Sequence, residues 1–175
     1  VLEFISDIRN IGYTGFIFLG GHAPSLEYEM ILERCNGLDC VVIGEGEETI
    51  YELVNAVRTR QEWKNIDGIA YIEDEKVKTT RMRPLIQDLD ELPFMATDFL
   101  EELQLKHGKN VTAYLVSSRG CYKNCSFCSI AAYFDMFEGC RMRYRSVKSV
   151  FEEIKYLYQN YNIRKFCFWD DNFII

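Results

Sequence analysis

Short apolar runs alternate with amphipathic stretches in the first third of the chain. The runs Gly15–Leu19 and Cys40–Ile43 contain no charged residue, and each is followed by glycines. Apolar residues at helical spacing come after each run, which predicts a helix behind each strand. Strands that are apolar throughout are typical of a parallel sheet covered on both faces. The pattern therefore predicts two βα units between Val1 and about Arg60.

The middle of the chain has a different pattern. Gly68–Glu73 and Val77–Thr80 flank the polar tip Asp74–Lys76, which predicts a β-hairpin as a small appendage. Two prolines between Arg83 and Pro93 favour an extended connector over a helix. We place a domain boundary in this connector.

Beyond the connector, the pattern returns to strand, helix and strand. Thr112–Ser117 and Lys165–Trp169 are strand-like, and a helix is predicted over Ser146–Gln159, with Ser149 and Glu152 as a capping box. The predicted fold class is α/β. The chain divides into three predicted segments: 1–62, 63–110 and 111–175.

The composition of the 175 residues supports a packed core and excludes several partners. Apolar residues make up 48% of the chain, and no run approaches the roughly 18 apolar residues of a membrane span. A net charge of -7 argues against bulk attraction to nucleic acid or an anionic membrane surface. No secretion signal is evident, so a cytoplasmic location is expected. Because the chain starts at Val1 and stops in an apolar stretch, we expect a piece of a longer protein.

Three of the seven cysteines, Cys121, Cys125 and Cys128, crowd into eight residues after a predicted strand. Structural zinc usually takes four ligands from two separated pairs, whereas this loop supplies three. An iron-sulfur cube is usually held by four cysteines, so three would leave one iron open to a reactant. A zinc site completed by Cys140 or His107 is the alternative.

The spacing of these cysteines, with the aromatic Phe127 before the third, resembles the signature of the radical S-adenosylmethionine superfamily. The resemblance implies a [4Fe-4S] cluster on Cys121, Cys125 and Cys128. It also implies S-adenosylmethionine on the fourth iron, with Phe127 in its binding site. One electron from the cluster would cleave the sulfonium and release a 5′-deoxyadenosyl radical. In this family the motif follows the first strand of a partial TIM-like barrel, at the mouth where barrel chemistry takes place.

Asp170 and Asp171 follow the last predicted strand, which directs them toward the same mouth. The family usually has Gly-Gly-Glu there, with a polar group that binds the amino end of S-adenosylmethionine. Relatives with a cobalamin domain often have the aspartate version. Either carboxylate could accept a charge-assisted hydrogen bond from the ammonium group. A solvated turn after a strand is the alternative.

Two glycine turns lie where a predicted strand passes into a helix, and such turns let a ligand approach the backbone. Any βα turn can hold glycines, but the order of turns, hairpin, connector and cysteine loop resembles the cobalamin-binding radical enzymes. In these, a flavodoxin-like, Rossmann-type cobalamin domain precedes the barrel. The resemblance implies that cobalamin is bordered by Gly20, Gly21, Ser25, Gly44 and Gly46. Ser25 is also a candidate helix cap.

His22 stands in the first glycine turn. Cobalamin domains that use histidine as the cobalt ligand carry it in Asp-x-His-x-x-Gly, which this sequence lacks. We therefore expect His22 to be a turn residue. His107, between Lys106 and Gly108, is expected in a solvated loop.

Five basic residues lie near the cysteine loop in sequence within an otherwise acidic chain. They could balance the charge of a cluster or dock an acidic electron donor of the flavodoxin or ferredoxin type, or they could form a solvated face. They are Arg119, Lys123, Arg141, Arg143 and Arg145.

The resemblance as a whole implies an enzyme that transfers a methyl group from methylcobalamin to a carbon radical, with ring formation or bond cleavage in some relatives. The substrate, a small molecule or a peptide, is not named by the sequence. A methylthiotransferase of the same superfamily is disfavoured, because only Cys35 and Cys40 precede the connector, in a predicted helix and strand. The other alternative is a non-catalytic, zinc-stabilised binding or redox-sensing module.

Overall fold

The computed structural model describes residues 1–107 and 111–173. The chain divides into two compact units, and each unit combines two stretches of the sequence. These are Val1–Leu85 with Ser126–Gly139, and Ile86–Cys125 with the residues from Cys140 on. The three segments expected from the sequence stay a prediction.

Helices and strands alternate along the described residues. The helices are α1 (Leu2–Asn10), α2 (His22–Leu26), α3 (Tyr28–Arg34), α4 (Glu47–Thr59), α5 (Leu100–His107), α6 (Ser129–Phe134) and α7 (Val147–Tyr161). The strands are β1 (Phe18–Leu19), β2 (Cys40–Val42), β3 (Ile69–Glu73), β4 (Lys76–Thr79), β5 (Thr112–Leu115), β6 (Ser118–Arg119), β7 (Arg143–Tyr144) and β8 (Lys165–Phe168). None of the helices in this part of the chain has the length and apolar character that crossing a bilayer requires.

The first unit is built on a four-stranded sheet in the order β1-β2-β3-β4. β1 and β2 run parallel, with Phe18 beside Cys40, as the two predicted βα units require. β3 and β4 form the predicted hairpin, and the tip residues Asp74 and Glu75 have the positive φ angles of a tight hairpin turn. β3 also pairs antiparallel with β2, so the hairpin extends this sheet and the expectation of an appendage is wrong.

Both faces of this sheet are covered, which explains why its strands are apolar throughout. Val41 and Ile43 belong to the core cluster that also contains buried residues of α3. Cys40 and Val42 point to the opposite face, where Leu53 of α4 is buried with them. Successive side chains of β2 thus pack alternately into two cores, one on each face of the sheet.

Two cysteines are enclosed in these cores, as the sequence predicts. Cys35 is 2% exposed and Cys40 is 0% exposed. Burial, reinforced by the nearby carboxylate of Asp39, raises the pKa of the Cys40 thiol to about 12. This thiol stays protonated at neutral pH and packs as a small core residue.

The second unit contains the parallel pair β5 and β8, with Ala113 beside Phe166 and Leu115 beside Phe168. These side chains join a core that includes Leu157 of α7. The carboxyl ends of two parallel strands lie at one edge of their sheet. The chain leaves β5 toward the cysteine loop, and it leaves β8 toward the two aspartates.

The start of α7 differs from the expectation. Ser146 is the N-cap, and its Oγ accepts a hydrogen bond from the backbone N–H of Ser149 at 3.0 Å. The expected capping box at Ser149 and Glu152 is therefore wrong by three residues, because Ser146 is already extended and ready to cap. The helix runs to Tyr161.

A buried ion pair connects Arg145, the residue after β7, to α7. The guanidinium of Arg145 binds the carboxylate of Glu153 at 2.5 Å, with side chains 11% and 3% exposed. The second carboxylate oxygen of Glu153 accepts from the backbone N–H of Met95 at 2.9 Å. Arg145 also donates to the carbonyl of Val116, directly before the segment that leads to the cysteines.

We predict that Glu153→Ala lowers the free energy of unfolding by about 3–5 kcal/mol, because it leaves the Arg145 charge buried without its partner. The neighbouring Glu152 offers a matched control, since it pairs with Lys155 at a site where both side chains are 46% exposed. Glu152→Ala should change the same quantity by less than about 1 kcal/mol. Urea denaturation of both variants measures the difference. Equal losses in the two variants would contradict this role of the buried pair.

Candidate functional site

The cysteine loop begins at a turn that requires glycine. Gly120 has a φ of +86°, and a Cβ at this position would lie 2.0 Å from the carbonyl oxygen of Arg141. Both the backbone conformation and the close approach exclude any side chain. Just before this turn, β6 and β7 pair antiparallel, with Arg119 beside Arg143. The backbone that leads into Cys121 is therefore fixed against the segment around residue 141.

Arg141 holds the loop through its guanidinium. Its Nη1 donates to Oδ1 of Asn124 at 2.7 Å. The same nitrogen lies 3.4 Å from the carbonyl oxygens of Cys121 and Lys123. These contacts use backbone and amide oxygens and leave the thiols unengaged by Arg141. The sequence shows that a basic residue is near the loop, but its role depends on a fold that brings together residues 17 to 20 positions apart.

The three loop thiols are all accessible. Cys121 is half-buried and Cys125 is exposed, both in the second unit. Cys128 is exposed and belongs to the first unit, where it is the N-cap residue of α6. All three are free cysteines. Accessible thiols are the donors that an iron-sulfur cluster needs, so the chemistry of the donor set fits this group.

Within the described residues, no three side chains of the Cys, His, Asp or Glu type come together as ligands of a metal ion. The assignment of Cys121, Cys125 and Cys128 as cluster ligands therefore stays a prediction. Of the two candidates for a fourth zinc ligand, Cys140 is exposed and its thiol lies 3.2 Å from the carbonyl oxygen of Met142. The expectation of a loop at His107 is wrong, because this residue ends α5, and its side chain lies outside the described part of the chain.

The two aspartates after β8 bind backbone groups at the start of the cysteine loop. Oδ1 of Asp170 accepts from the N–H groups of Ser117 and Ser118, both at 2.7 Å. Its Oδ2 accepts from the hydroxyl of Ser117 at 2.7 Å. Oδ2 of Asp171 accepts from the N–H of Gly120 at 2.9 Å. The turn after β8 is therefore an organised junction and not only a solvated turn, and sequence spacing offered no signal for these contacts.

Phe127 is the most exposed of the large apolar side chains in the described residues, at 91%. Single exposed apolar side chains are common on protein surfaces, so this exposure does not by itself assign a role to Phe127. Its position is compatible with contact to a bound molecule. Its part in binding S-adenosylmethionine stays a prediction.

The first glycine turn is open, and the second is closed. Gly20 and Gly21 are exposed, and a Cβ on Gly21, which has a φ of +98°, would meet nothing within 4 Å. Gly44 is buried with a φ of +87°, and a Cβ there would lie 3.0 Å from the ring of Phe137. Gly46 is the N-cap residue of α4. Exposed backbone at Gly20 and Gly21, with open space beside Gly21, fits the close approach of a bulky ligand.

Ser25 joins the two glycine turns. Its hydroxyl donates to the carbonyl oxygen of Gly21 at 2.8 Å and accepts from the N–H of Gly44 at 3.0 Å. The side chain is 0% exposed. The expectation of a helix cap is wrong, because Ser25 lies inside α2, whose N-cap is Gly21.

His22 is the first residue of α2 and lies against aromatic rings. Its imidazole is 3.9 Å from the ring centroid of Tyr133, at an angle of 30°, and meets Phe134 edge-on at 5.6 Å. Both partners belong to α6, the helix that directly follows Cys128. The imidazole therefore contributes to packing in the first unit. The expectation of a turn residue is wrong, because His22 begins α2.

The basic residues near the loop do not form one exposed face. Arg143 is 4% exposed, and its Nη1 donates to the carbonyl of Ile86 at 2.7 Å. Arg145 is engaged in the buried pair with Glu153. Arg141 holds the loop itself. At least three of the five thus have structural contacts, and an electron donor at this surface stays a prediction.

Comparison with known proteins reveals relatives over most of the chain, although no protein-family model matches. This chain is 38% identical over 167 residues to an uncharacterized methyltransferase of Pyrococcus horikoshii. The alignment covers 95% of this chain and 36% of the methyltransferase. This chain is also 30% identical over 158 residues to the anaerobic magnesium-protoporphyrin IX monomethyl ester cyclase of a Synechocystis species, which covers 89% of this chain and 30% of the cyclase. The chain spans about a third of the length of both relatives.

Solved structures share the fold. The cobalamin-dependent S-adenosylmethionine radical enzyme OxsB, with aqua-cobalamin and S-adenosylmethionine bound, superposes with a TM-score of 0.69 at 24% identity, over 98% of this chain and 23% of OxsB. The radical S-adenosylmethionine methyltransferase TsrM of Kitasatospora setae, with cobalamin and a [4Fe-4S] cluster bound, superposes with a TM-score of 0.67 at 18% identity, over 98% of this chain and 33% of TsrM. The chain is thus similar in sequence to part of a methyltransferase and part of a cyclase, and it shares its fold with cobalamin-dependent radical S-adenosylmethionine enzymes.

Proposed function

We propose that the protein carrying this chain is a radical enzyme in which Cys121, Cys125 and Cys128 hold a [4Fe-4S] cluster. The observation that carries the proposal is the loop of three free, accessible thiols that follows strands β5 and β6. Such a cluster, when bound with one open iron, supplies an electron that cleaves S-adenosylmethionine to a 5′-deoxyadenosyl radical. The chain's own residues have the task of holding the loop and the reactant in place.

The loop is suited to this task because its backbone is held while its thiols remain accessible. Gly120 lets the chain turn tightly against the carbonyl of Arg141. The Arg141 guanidinium binds the side chain of Asn124, which follows Cys121 in the loop. Phe127, exposed just before Cys128, is proposed to contact S-adenosylmethionine.

We propose that residues 1–62 form the end of a flavodoxin-like cobalamin domain and that 63–110 form a hairpin and linker. Residues 111–175 would then supply the opening βα unit and second strand of a partial TIM-like barrel. The parallel pair β1 and β2 supports the first assignment, and the parallel pair β5 and β8 supports the second.

Cobalamin is proposed to lie beside the first glycine turn. Gly20 and Gly21 present exposed backbone to it. Ser25, Gly44 and Gly46 would border the same site, with Ser25 acting by holding the two turns together through its buried hydroxyl. The relatives named as methyltransferase and cyclase support methyl transfer to a carbon centre, or a radical cyclisation, as the reaction class.

The cluster proposal predicts distinct behaviour for two kinds of cysteine. After anaerobic reconstitution with iron and sulfide, the unchanged full-length protein should bind about four irons at this loop. The electron paramagnetic resonance signal of the reduced cluster should be absent from each of the variants Cys121→Ala, Cys125→Ala and Cys128→Ala. Cys140→Ala is the matched control, because this exposed thiol lies outside the loop. It should leave the signal unchanged.

Two results would contradict the proposal. One is the full signal in all three loop variants. The other is stoichiometric zinc without iron or acid-labile sulfide, which would favour the zinc-stabilised module. The addition of S-adenosylmethionine should also change the spectrum of the unchanged protein, because its amino and carboxylate groups would bind the open iron.

The role of Ser25 generates a second prediction. Ser25→Ala should lower the free energy of unfolding by about 1–3 kcal/mol, because the buried N–H of Gly44 loses its acceptor. Corrinoid absorbance retained after incubation and desalting should fall as well, because the turns lose their connection. Ser6→Ala is the control: the Ser6 hydroxyl is exposed and bonds only to its own helix, so about 0.5 kcal/mol or less is expected. Unchanged corrinoid retention in Ser25→Ala would argue against this site.

A further inference from the structure

The carboxylate of Asp170 is occupied by the chain itself. Oδ1 accepts two backbone hydrogen bonds, from Ser117 and Ser118, and Oδ2 accepts one from the Ser117 hydroxyl, all at 2.7 Å. An ionised carboxylate has about four acceptor positions, so three of them are filled. A donor from a bound molecule would therefore have to displace one of these bonds or use the remaining position.

The bonded amides belong to the short segment between β5 and the cysteine loop. The carbonyl oxygen of Ser117 accepts from the N–H of Arg145, the residue after β7, at 2.9 Å. Ser117 is therefore held through its carbonyl as well as through its N–H. The N–H of Trp169 donates to the carbonyl of Leu115 at 2.8 Å, which continues the β5–β8 ladder to its end. Asp170 takes over where this ladder stops. It supplies the acceptors that a further strand residue would have offered to Ser117 and Ser118.

Asp171 extends the junction by one step. Its Oδ2 accepts from the N–H of Gly120, the residue directly before Cys121, at 2.9 Å. Unlike Asp170, it is exposed and is bound through a single oxygen to a single donor. The two adjacent carboxylates therefore differ in how far the chain occupies them.

We propose that Asp170 is a positioning residue for the cysteine loop: it fixes the backbone of residues 117–118, and through it the place of Cys121, by hydrogen bonds and not by binding the amino group of S-adenosylmethionine. This inference rests on the proposed function in so far as the loop holds a cluster. Of the two aspartates, Asp171 has the carboxylate that the chain occupies less.

Three substitutions separate hydrogen-bond geometry from charge. Asp170→Asn removes the charge but keeps the shape: the amide oxygen can accept from both N–H groups, and the NH₂ can donate to the Ser117 hydroxyl, which also accepts. Asp170→Glu keeps the charge but moves the carboxylate by one methylene. Asp170→Ala removes both. Ser117→Ala is a milder partner variant, because it deletes only the hydroxyl bond and keeps the two amide bonds.

The first measurement needs no cluster. Hydrogen–deuterium exchange by mass spectrometry, on the full-length protein without added iron, follows a peptide that covers residues 116–121. We expect about tenfold faster exchange at the bonded amides in Asp170→Ala and Asp170→Glu, the effect of losing one hydrogen bond of ordinary strength. Asp170→Asn should stay close to the unchanged protein. Rapid exchange throughout the chain would identify a variant that has failed to fold, and Asp170→Asn then carries the comparison.

The second measurement is made after anaerobic reconstitution. Asp170→Asn should keep its iron content, its electron paramagnetic resonance spectrum and the change of that spectrum on addition of S-adenosylmethionine. Asp170→Glu should lose most of the iron or show an altered spectrum. The reverse order, with the response to S-adenosylmethionine lost in Asp170→Asn and retained in Asp170→Glu, would overturn the proposal, because charge and not geometry would then be the requirement.

The two measurements also distinguish two kinds of failure. If the unchanged protein binds no iron, the proposed function fails, while the exchange rates of residues 116–121 still decide whether Asp170 holds this segment. If exchange is the same in Asp170→Ala and the unchanged protein, the positioning role is overturned, whatever the iron content.

Discussion

The backbone that leads to the loop thiols has to be held without using the thiols. The segment from Ser117 to Gly120 solves this problem with acceptors from elsewhere in the second unit: three of its N–H groups bond to carboxylates of Asp170 and Asp171. Its carbonyl at Ser117 bonds to the backbone of Arg145. Because a buried or half-buried amide without a partner is costly, each of these groups restricts where the segment can lie. The position of Cys121 depends on this set of bonds.

Arg145 links this segment to the stability of the unit. Its backbone binds Ser117, while its guanidinium forms the buried pair with Glu153. Glu153 also accepts from the backbone N–H of Met95, so each of its two carboxylate oxygens has a donor. The basic residues near the cysteine loop suggest a solvated surface or a docking surface for an electron donor. Arg145, however, is largely buried, and its backbone holds the segment that leads to the loop.

The first unit meets a comparable requirement with neutral groups. The hydroxyl of Ser25 connects the carbonyl of Gly21 with the amide of Gly44, and so fixes two turns that follow neighbouring parallel strands. Phe137 closes the second turn at Gly44, whereas the first remains open at Gly21. Both glycines have positive φ, but for different purposes: one admits an aromatic ring of the protein, and the other leaves backbone accessible to solvent.

The sequence by itself determined the α/β class, the parallel strands β1 and β2, the hairpin, the long helix α7 and the buried state of Cys35 and Cys40, because all of these follow from local periodicity and turn chemistry. It also identified the cysteine loop through its spacing. Only the tertiary structure decided that the hairpin joins the sheet, that Ser146 caps α7 and that Ser25 connects two turns. It likewise decided the partners of Asp170, which lie more than 50 positions away along the chain. Which acceptor a backbone amide bonds to depends on which groups lie close to it in the folded chain. A local sequence pattern does not contain this information, because it is set only when the strands lie side by side.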